Sequence, residues 1–262
     1  MTTIVGLETT LGEPAVILGA DSQMNLSDKK NEPKGKIPEQ KIRVGSFYAA
    51  AIAGVVTKER TRLERKLEGN KRGMDEGEKE GDIVRRALEK YEKGEKLRHF
   101  DEIAYVNAMY TRQEEALPDF SDLIEMIIAC QNPFGLWHVD IYGTMTSFSK
   151  DRKTFPDERT YPYIVLGSGS EILKTFFDST LEEEESNYKP GEIDIDIGIE
   201  LVNQALLKAI RDPFTGMPFG FVAITKDYIF NYIEEMAKNL KEGQERSIQN
   251  MKEGIKRKLT PT

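Results

Sequence analysis

The chain has 262 residues, 39% of them hydrophobic, enough to bury one substantial core. Asp and Glu outnumber Lys and Arg by 45 to 37, and no basic patch carries interleaved aromatics, which argues against nucleic acid as a partner. Cys130 is the single cysteine and His99 and His138 are the two histidines, so an internal disulfide and a Cys/His metal cluster are both excluded.

Residues 2–7 and 15–20 read as two strands of a hairpin joined through Gly12 and Pro14. The polar stretch 27–40, with Pro33, Gly35 and Pro38, is expected to be a loop, followed by strands at 41–44 and 47–53 that end at Gly54 and complete a first sheet. Residues 55–67 space their apolar positions as a helix with one face on a sheet, and a charged, turn-rich linker follows over 69–81. A second helical stretch opens near Asp82, breaks around Gly94 and runs to about Glu115, so the region 69–115 is expected to be a charged, solvated helical insertion.

Leu123, Ile124, Met126, Ile127 and Ile128 form a buried strand, paired across the Asn132-Pro133-Phe134-Gly135 turn with 136–142, and a second antiparallel sheet begins there. Residues 164–166 lead into Gly167-Ser168-Gly169-Ser170 and a helix over 171–177. After a solvated acidic run at 182–185 comes a helix over 197–210, which Asp194 or Asp196 is placed to cap. Strands at 219–225 and 228–232 complete the second sheet, and a charged helical tail occupies 233–262. This order predicts one α+β domain over 1–262, a four-layer αββα sandwich of two antiparallel sheets. The N-terminus has neither the basic region nor the apolar stretch of a signal peptide, and no apolar run nears the ~20 residues that span a bilayer. With the lone cysteine, this leads to the expectation of a soluble cytoplasmic protein with no membrane partner.

The common catalytic templates are missing: neither histidine adjoins a Gly-x-Ser-x-Gly motif, and there is no His-Glu-x-x-His helix and no Gly-rich loop ending in Lys-Ser or Lys-Thr. His138 reads as a core or surface filler, and no metal or cofactor is called for. What stands out is Met-Thr-Thr-Ile-Val, where a small residue behind Met1 invites its excision and would leave Thr2 with a free amine. An α-amino group ionises at about 7.7 to 8.0, so it can take the proton from its own side-chain hydroxyl, and one residue then supplies both nucleophile and base. Read alone, Thr2 is more simply a threonine opening a strand.

Five segments change that balance. Thr2-Thr3-Ile4-Val5-Gly6, Gly19-Ala20-Asp21-Ser22, Lys41-Ile42 with Ala51-Ile52-Ala53-Gly54, Gly167-Ser168-Gly169-Ser170, and Arg211-Asp212-Pro213-Phe214-Thr215-Gly216 follow one another across most of the chain. In order and spacing they resemble proteasome β subunits and the HslV-type peptidases, which are N-terminal-nucleophile (Ntn) hydrolases. The resemblance implies a threonine endopeptidase with Thr2 as nucleophile, Asp21 and Lys41 as the charged pair beside it, and the Gly54 N–H facing the oxyanion. It makes Ser168 and Asp212 supporting residues near the Thr2 amine and Ile52 the base of the pocket for the residue before the scissile bond. An ammonium near Thr2 disfavours a second positive charge there, and Asp21 offsets the cost of holding that ammonium in a cleft. Without the resemblance, Asp21 and Lys41 are a structural ion pair, Gly54 a turn glycine, Ser168 a helix cap and Asp212 a helix-end acid.

The substrate is expected to lie extended, pairing with the segment after Asp21 and with Gly54. Two positions depart from the pattern: Thr215 stands where the family usually has Ser, and Asn25 where many relatives have a Thr that holds the peptide backbone. The resemblance implies a peptide or unfolded protein as substrate, a homo-oligomer such as a ring, and an ATP-dependent unfoldase as a candidate partner. The insertion and the tail leave the ring size open. Two other readings remain: a transpeptidase or amidase on the same scaffold, which a competing amine would reveal, and a catalytically silent ring subunit that keeps Met1.

Overall fold

Strands Thr3–Thr9 (β1) and Ala15–Asp21 (β2) are buried along their whole length, as expected of strands covered on both faces. They come from a computed structural model that describes residues 2–27, 33–38, 40–54, 58–67, 82–94, 99–113, 123–148, 163–181, 192–233 and 244–259. Met1, the linker at 69–81 and the acidic run at 182–185 lie outside the described residues.

Successive side chains of β1 point to opposite sides. Ile4 joins Val16 and Leu18 of β2 in one apolar cluster, while Val5 and Leu7 join Ile17 in another. The first cluster fills the space between two antiparallel five-stranded sheets. One sheet runs β10-β1-β2-β11-β12, where β10 is Tyr163–Gly167, β11 is Phe219–Thr225 and β12 is Ile229–Asn231. The other runs β5-β6-β7-β8-β9, with β5 Ile42–Val44, β6 Tyr48–Ala53, β7 Glu125–Gln131, β8 Phe134–Val139 and β9 Met145–Ser147. Close approach of the sheets is allowed by small residues on the facing sides: Ala49, Ala51 and Ala53 of β6, and Gly6 of β1, where a Cβ would come within 2.8 Å of Leu136.

Helices cover the outer faces. Ser170–Leu181 (α4), Ile195–Ala209 (α5) and Gln244–Leu259 (α6) bury Phe177, Val202, Leu206 and Met251 against β1, β2 and β11. Asp194 caps α5, its Oδ1 accepting from the Ile197 N–H at 2.8 Å. On the other side Lys58–Leu67 (α1), Asp82–Glu92 (α2) and Asp101–Gln113 (α3) pack Leu63, Leu67, Val84, Ala87 and Ile103 around Tyr48, Ile52 and Trp137. No helix among the described residues is long and apolar enough to cross a membrane.

Several expectations need correction. Residues 33–38 are not loop: Pro33–Pro38 (β4) pairs with Gln23–Ser27 (β3) in a separate two-stranded ribbon. The two prolines fall at the ends of β4, where a missing N–H costs the ladder least. Strands are not divided between the sheets by sequence order, because β11 pairs with β2 over seven residues and β6 pairs with β7 over six. β9 is an additional edge strand. The second and third helices break at Gly94, which takes φ +67, but they are not simply solvated, since Ile83, Val84, Leu88, Phe100 and Val106 are all buried. His138 lies on β8 with its Nε2 3.1 Å from Glu125 Oε1 and plays no part in the site below.

Candidate active site

Five chain segments converge at one end of the paired sheets: the start of β1, the end of β2, the approach to β5, the junction of β10 with α4, and the connection from α5 to β11. Their meeting point is the peptide unit joining Thr2 to Thr3. Its carbonyl accepts from the Ser168 N–H at 2.9 Å, and its N–H donates to Asp21 Oδ1 at 2.7 Å. Two elements thus fix the orientation of Thr2, which is 2% exposed.

β10 reaches this point through Gly167, the register partner of Thr3. Gly167 has φ +92, and a Cβ there would lie 1.6 Å from the Thr2 carbonyl oxygen, so no other residue fits. Ser168 follows at the turn into α4, and its hydroxyl donates to Asp212 Oδ2 at 2.6 Å.

Asp21 also holds Lys41. The ammonium lies 2.8 Å from Oδ1 and 2.9 Å from Oδ2, and neither side chain is exposed. A buried ion pair survives when further hydrogen bonds satisfy its remaining lone pairs, and the Thr3 N–H supplies one of them. Lys41 stands immediately before β5, its own carbonyl accepting from the Ile52 N–H at 3.3 Å, so the ammonium is set by the pairing of β5 with β6.

The other side is a hydroxyl network. Asp212 Oδ2 accepts from Thr215 Oγ1 at 2.8 Å as well as from Ser168, and Oδ1 accepts from the Phe214 N–H at 3.3 Å. Thr215 Oγ1 is hydrogen-bonded to Thr3 Oγ1, which in turn accepts from the Gly169 N–H at 3.1 Å. With the Thr215 proton directed to the carboxylate, Thr3 is the donor to Thr215.

Gly54 ends β6 at φ +111, where a Cβ would sit 2.4 Å from the Leu123 carbonyl and 2.7 Å from Ile124 Cα. Ile52 is wholly buried in the apolar cluster under α1. Asn25 lies on β3, opposite Lys36 of β4.

Of the residues singled out in the sequence, Asp21 and Lys41 are joined directly, Ser168, Asp212 and Thr215 form one network, and the Thr2–Thr3 peptide touches both groups. Gly54 and Ile52 sit at the end of the neighbouring β6. Three contributors escaped the sequence reading. Thr3 and Gly169 complete the hydroxyl network, and the repeated threonine was the available signal for the first. The third is Arg60 on α1, wholly buried, donating to the Gly54 carbonyl at 2.6 Å and the Ile52 carbonyl at 3.4 Å. In a helix as charged as Lys58–Leu67 nothing distinguishes it from its solvated neighbours.

Such a site can fix the Thr2–Thr3 peptide unit, hold a positive charge on the carboxylate that binds it and relay protons among hydroxyls. Among the described residues no cluster of three or more His, Cys, Asp or Glu is placed to hold a metal ion. Compared with known proteins, the chain matches no family model and no curated sequence.

Proposed function

We propose that this chain is a cytoplasmic Ntn hydrolase of the proteasome β kind, a threonine endopeptidase activated by cleavage of the peptide bond before Thr2. The observation that carries the reading is the buried Lys41–Asp21 pair, whose carboxylate also grips the N–H that follows Thr2. A solvent-free ammonium that shares Asp21 Oδ1 with the N–H following Thr2 has a chemical use: it disfavours protonation of a second amine nearby and keeps that amine basic.

In the proposed reaction the freed Thr2 amine takes the hydroxyl proton as Oγ attacks the scissile carbonyl. The Gly54 N–H stabilises the oxyanion of the tetrahedral intermediate. The proton then passes to the leaving amine, an ester links the acyl group to Thr2, and water activated by the same amine hydrolyses it. Ser168, Asp212 and Thr215 orient the amine from the opposite side. The substrate runs between the β3–β4 ribbon and Gly54, and copies of the chain enclose it as an oligomer.

Thr2 is 2% exposed while its nitrogen is still part of a peptide bond, and this favours a second reading: a silent subunit that is never processed. Intact-mass measurement before and after treatment with a peptide epoxyketone, which closes a ring on the amine and hydroxyl of an N-terminal threonine, separates the two. The peptidase reading expects a mature chain beginning at Thr2 that gains one adduct there. An unmodified chain retaining the preceding residue refutes it.

A further inference from the structure

α1 reads as a basic surface helix, yet Arg60 has no exposed side-chain area. Its Nε donates to Glu64 Oε1 at 2.8 Å, Nη1 to the Gly54 carbonyl at 2.6 Å and Nη2 to the Ile52 carbonyl at 3.4 Å. The second oxygen of Glu64 accepts from Arg43 Nη2 at 3.0 Å, and Arg43 stands two residues after Lys41 on β5.

The two carbonyls bracket a single peptide unit. That of Ile52 belongs to the unit before Ala53, and that of Gly54 to the unit after Gly54. The unit between them carries the Gly54 N–H, so a guanidinium fork on its two neighbours holds that N–H in direction. Glycine at φ +111 has backbone freedom that a side chain would otherwise restrict, and the turn therefore needs an external restraint. A planar fork with fixed donor angles provides it where a single ammonium cannot. Through Glu64 and Arg43 the same network reaches the strand that delivers Lys41.

We infer that Arg60 is the positioning residue of the oxyanion turn, aiming the Gly54 N–H without touching substrate. The inference rests on the threonine-hydrolase reading above. It distinguishes steps that develop a charged oxygen at the scissile carbonyl from those that do not.

Two peptide probes make that distinction. An aldehyde adds to the threonine hydroxyl to give a hemiacetal whose oxygen occupies the oxyanion position, whereas a vinyl sulfone alkylates the same hydroxyl by conjugate addition and needs no donor there. In Arg60→Lys, kcat for peptide hydrolysis should fall about 10- to 100-fold with KM within about threefold. Aldehyde inhibition should weaken by a similar factor, while vinyl sulfone labelling stays within about threefold of wild type. Glu64→Gln, which keeps Arg60 but loosens its anchor, should shift the same quantities in the same direction by less, and serves where the lysine variant does not fold. Equal losses with both probes, or an unchanged kcat in a folded variant, overturn the role given to Arg60. A wild-type protein inert to both probes instead removes the threonine-hydrolase reading, and this role with it.

Discussion

Lys41 directs its ammonium at both carboxylate oxygens of Asp21, and the pair is sealed from solvent between β2 and β5. Removing one partner takes a buried, two-pronged charge contact from the other. Lys41→Met should cost about 3–5 kcal/mol in urea denaturation, and Asp21→Leu a comparable amount. The double variant should be more stable than the sum of the two losses implies, while both single variants lose peptide hydrolysis. Simple additivity would show that the two charges do not act as a unit.

Thr215 joins Thr3 to Asp212 through one hydroxyl. Thr215→Ser keeps that hydroxyl and should hydrolyse peptides within about threefold of wild type. Thr215→Val keeps the shape but leaves buried groups without their partner, at a cost of about 1–3 kcal/mol, with activity falling further than in the serine variant. Equal activity in the two variants, measured alongside their unfolding midpoints, would remove the network from the site.

Gly167 and Gly12 both adopt positive φ, +92 and +74, but only the first is enclosed. A Cβ at Gly12 meets nothing within 4 Å, so alanine there carries backbone strain alone, about 1–2 kcal/mol. At Gly167 it would also collide with the Thr2 carbonyl carbon at 2.6 Å, a contact no rotamer relieves. Gly167→Ala should therefore lower Tm well beyond Gly12→Ala; equal shifts would contradict this packing.

Cys130 is fully buried on β7, and burial pushes its thiol pKa up. The native protein should resist iodoacetamide at pH 8 and react once denatured. Because the folded form holds its proton after the unfolded thiol has lost it, this group leaves stability unchanged below about pH 8.5 and lowers it as pH rises beyond that. Rapid native labelling at pH 8 would contradict the burial.

Strand positions were readable because β2, β7 and β11 carry unbroken apolar runs at 15–18, 126–130 and 221–224, and β1 carries Ile4-Val5. The hairpin partners β1 with β2 and β7 with β8 were readable too, but the longer-range partners were not. Hydrophobic period identifies a strand and its faces, but the pairing of Phe219 with Asp21 depends on how the whole chain folds back. The ribbon was missed for a related reason: Pro33 and Pro38 signal a turn when their positions at strand ends are unknown. At the site, Asp21, Lys41, Ser168 and Asp212 were legible as motif positions. Arg60 was not, since burial of one cation among several on a helix is decided by what packs over it.

Only Ser22 lies between β2, which ends at Asp21, and β3, which opens the ribbon at Gln23. Its N–H approaches the Gly216 carbonyl at 3.4 Å, so even this single link is tethered to the segment that follows Asp212. Two torsions at one residue must absorb any change in the ribbon's angle, and whatever they do not absorb reaches the carboxylate next door. On the proposed function, a peptide seated along the ribbon would pull on the same short lever that holds the ammonium in place.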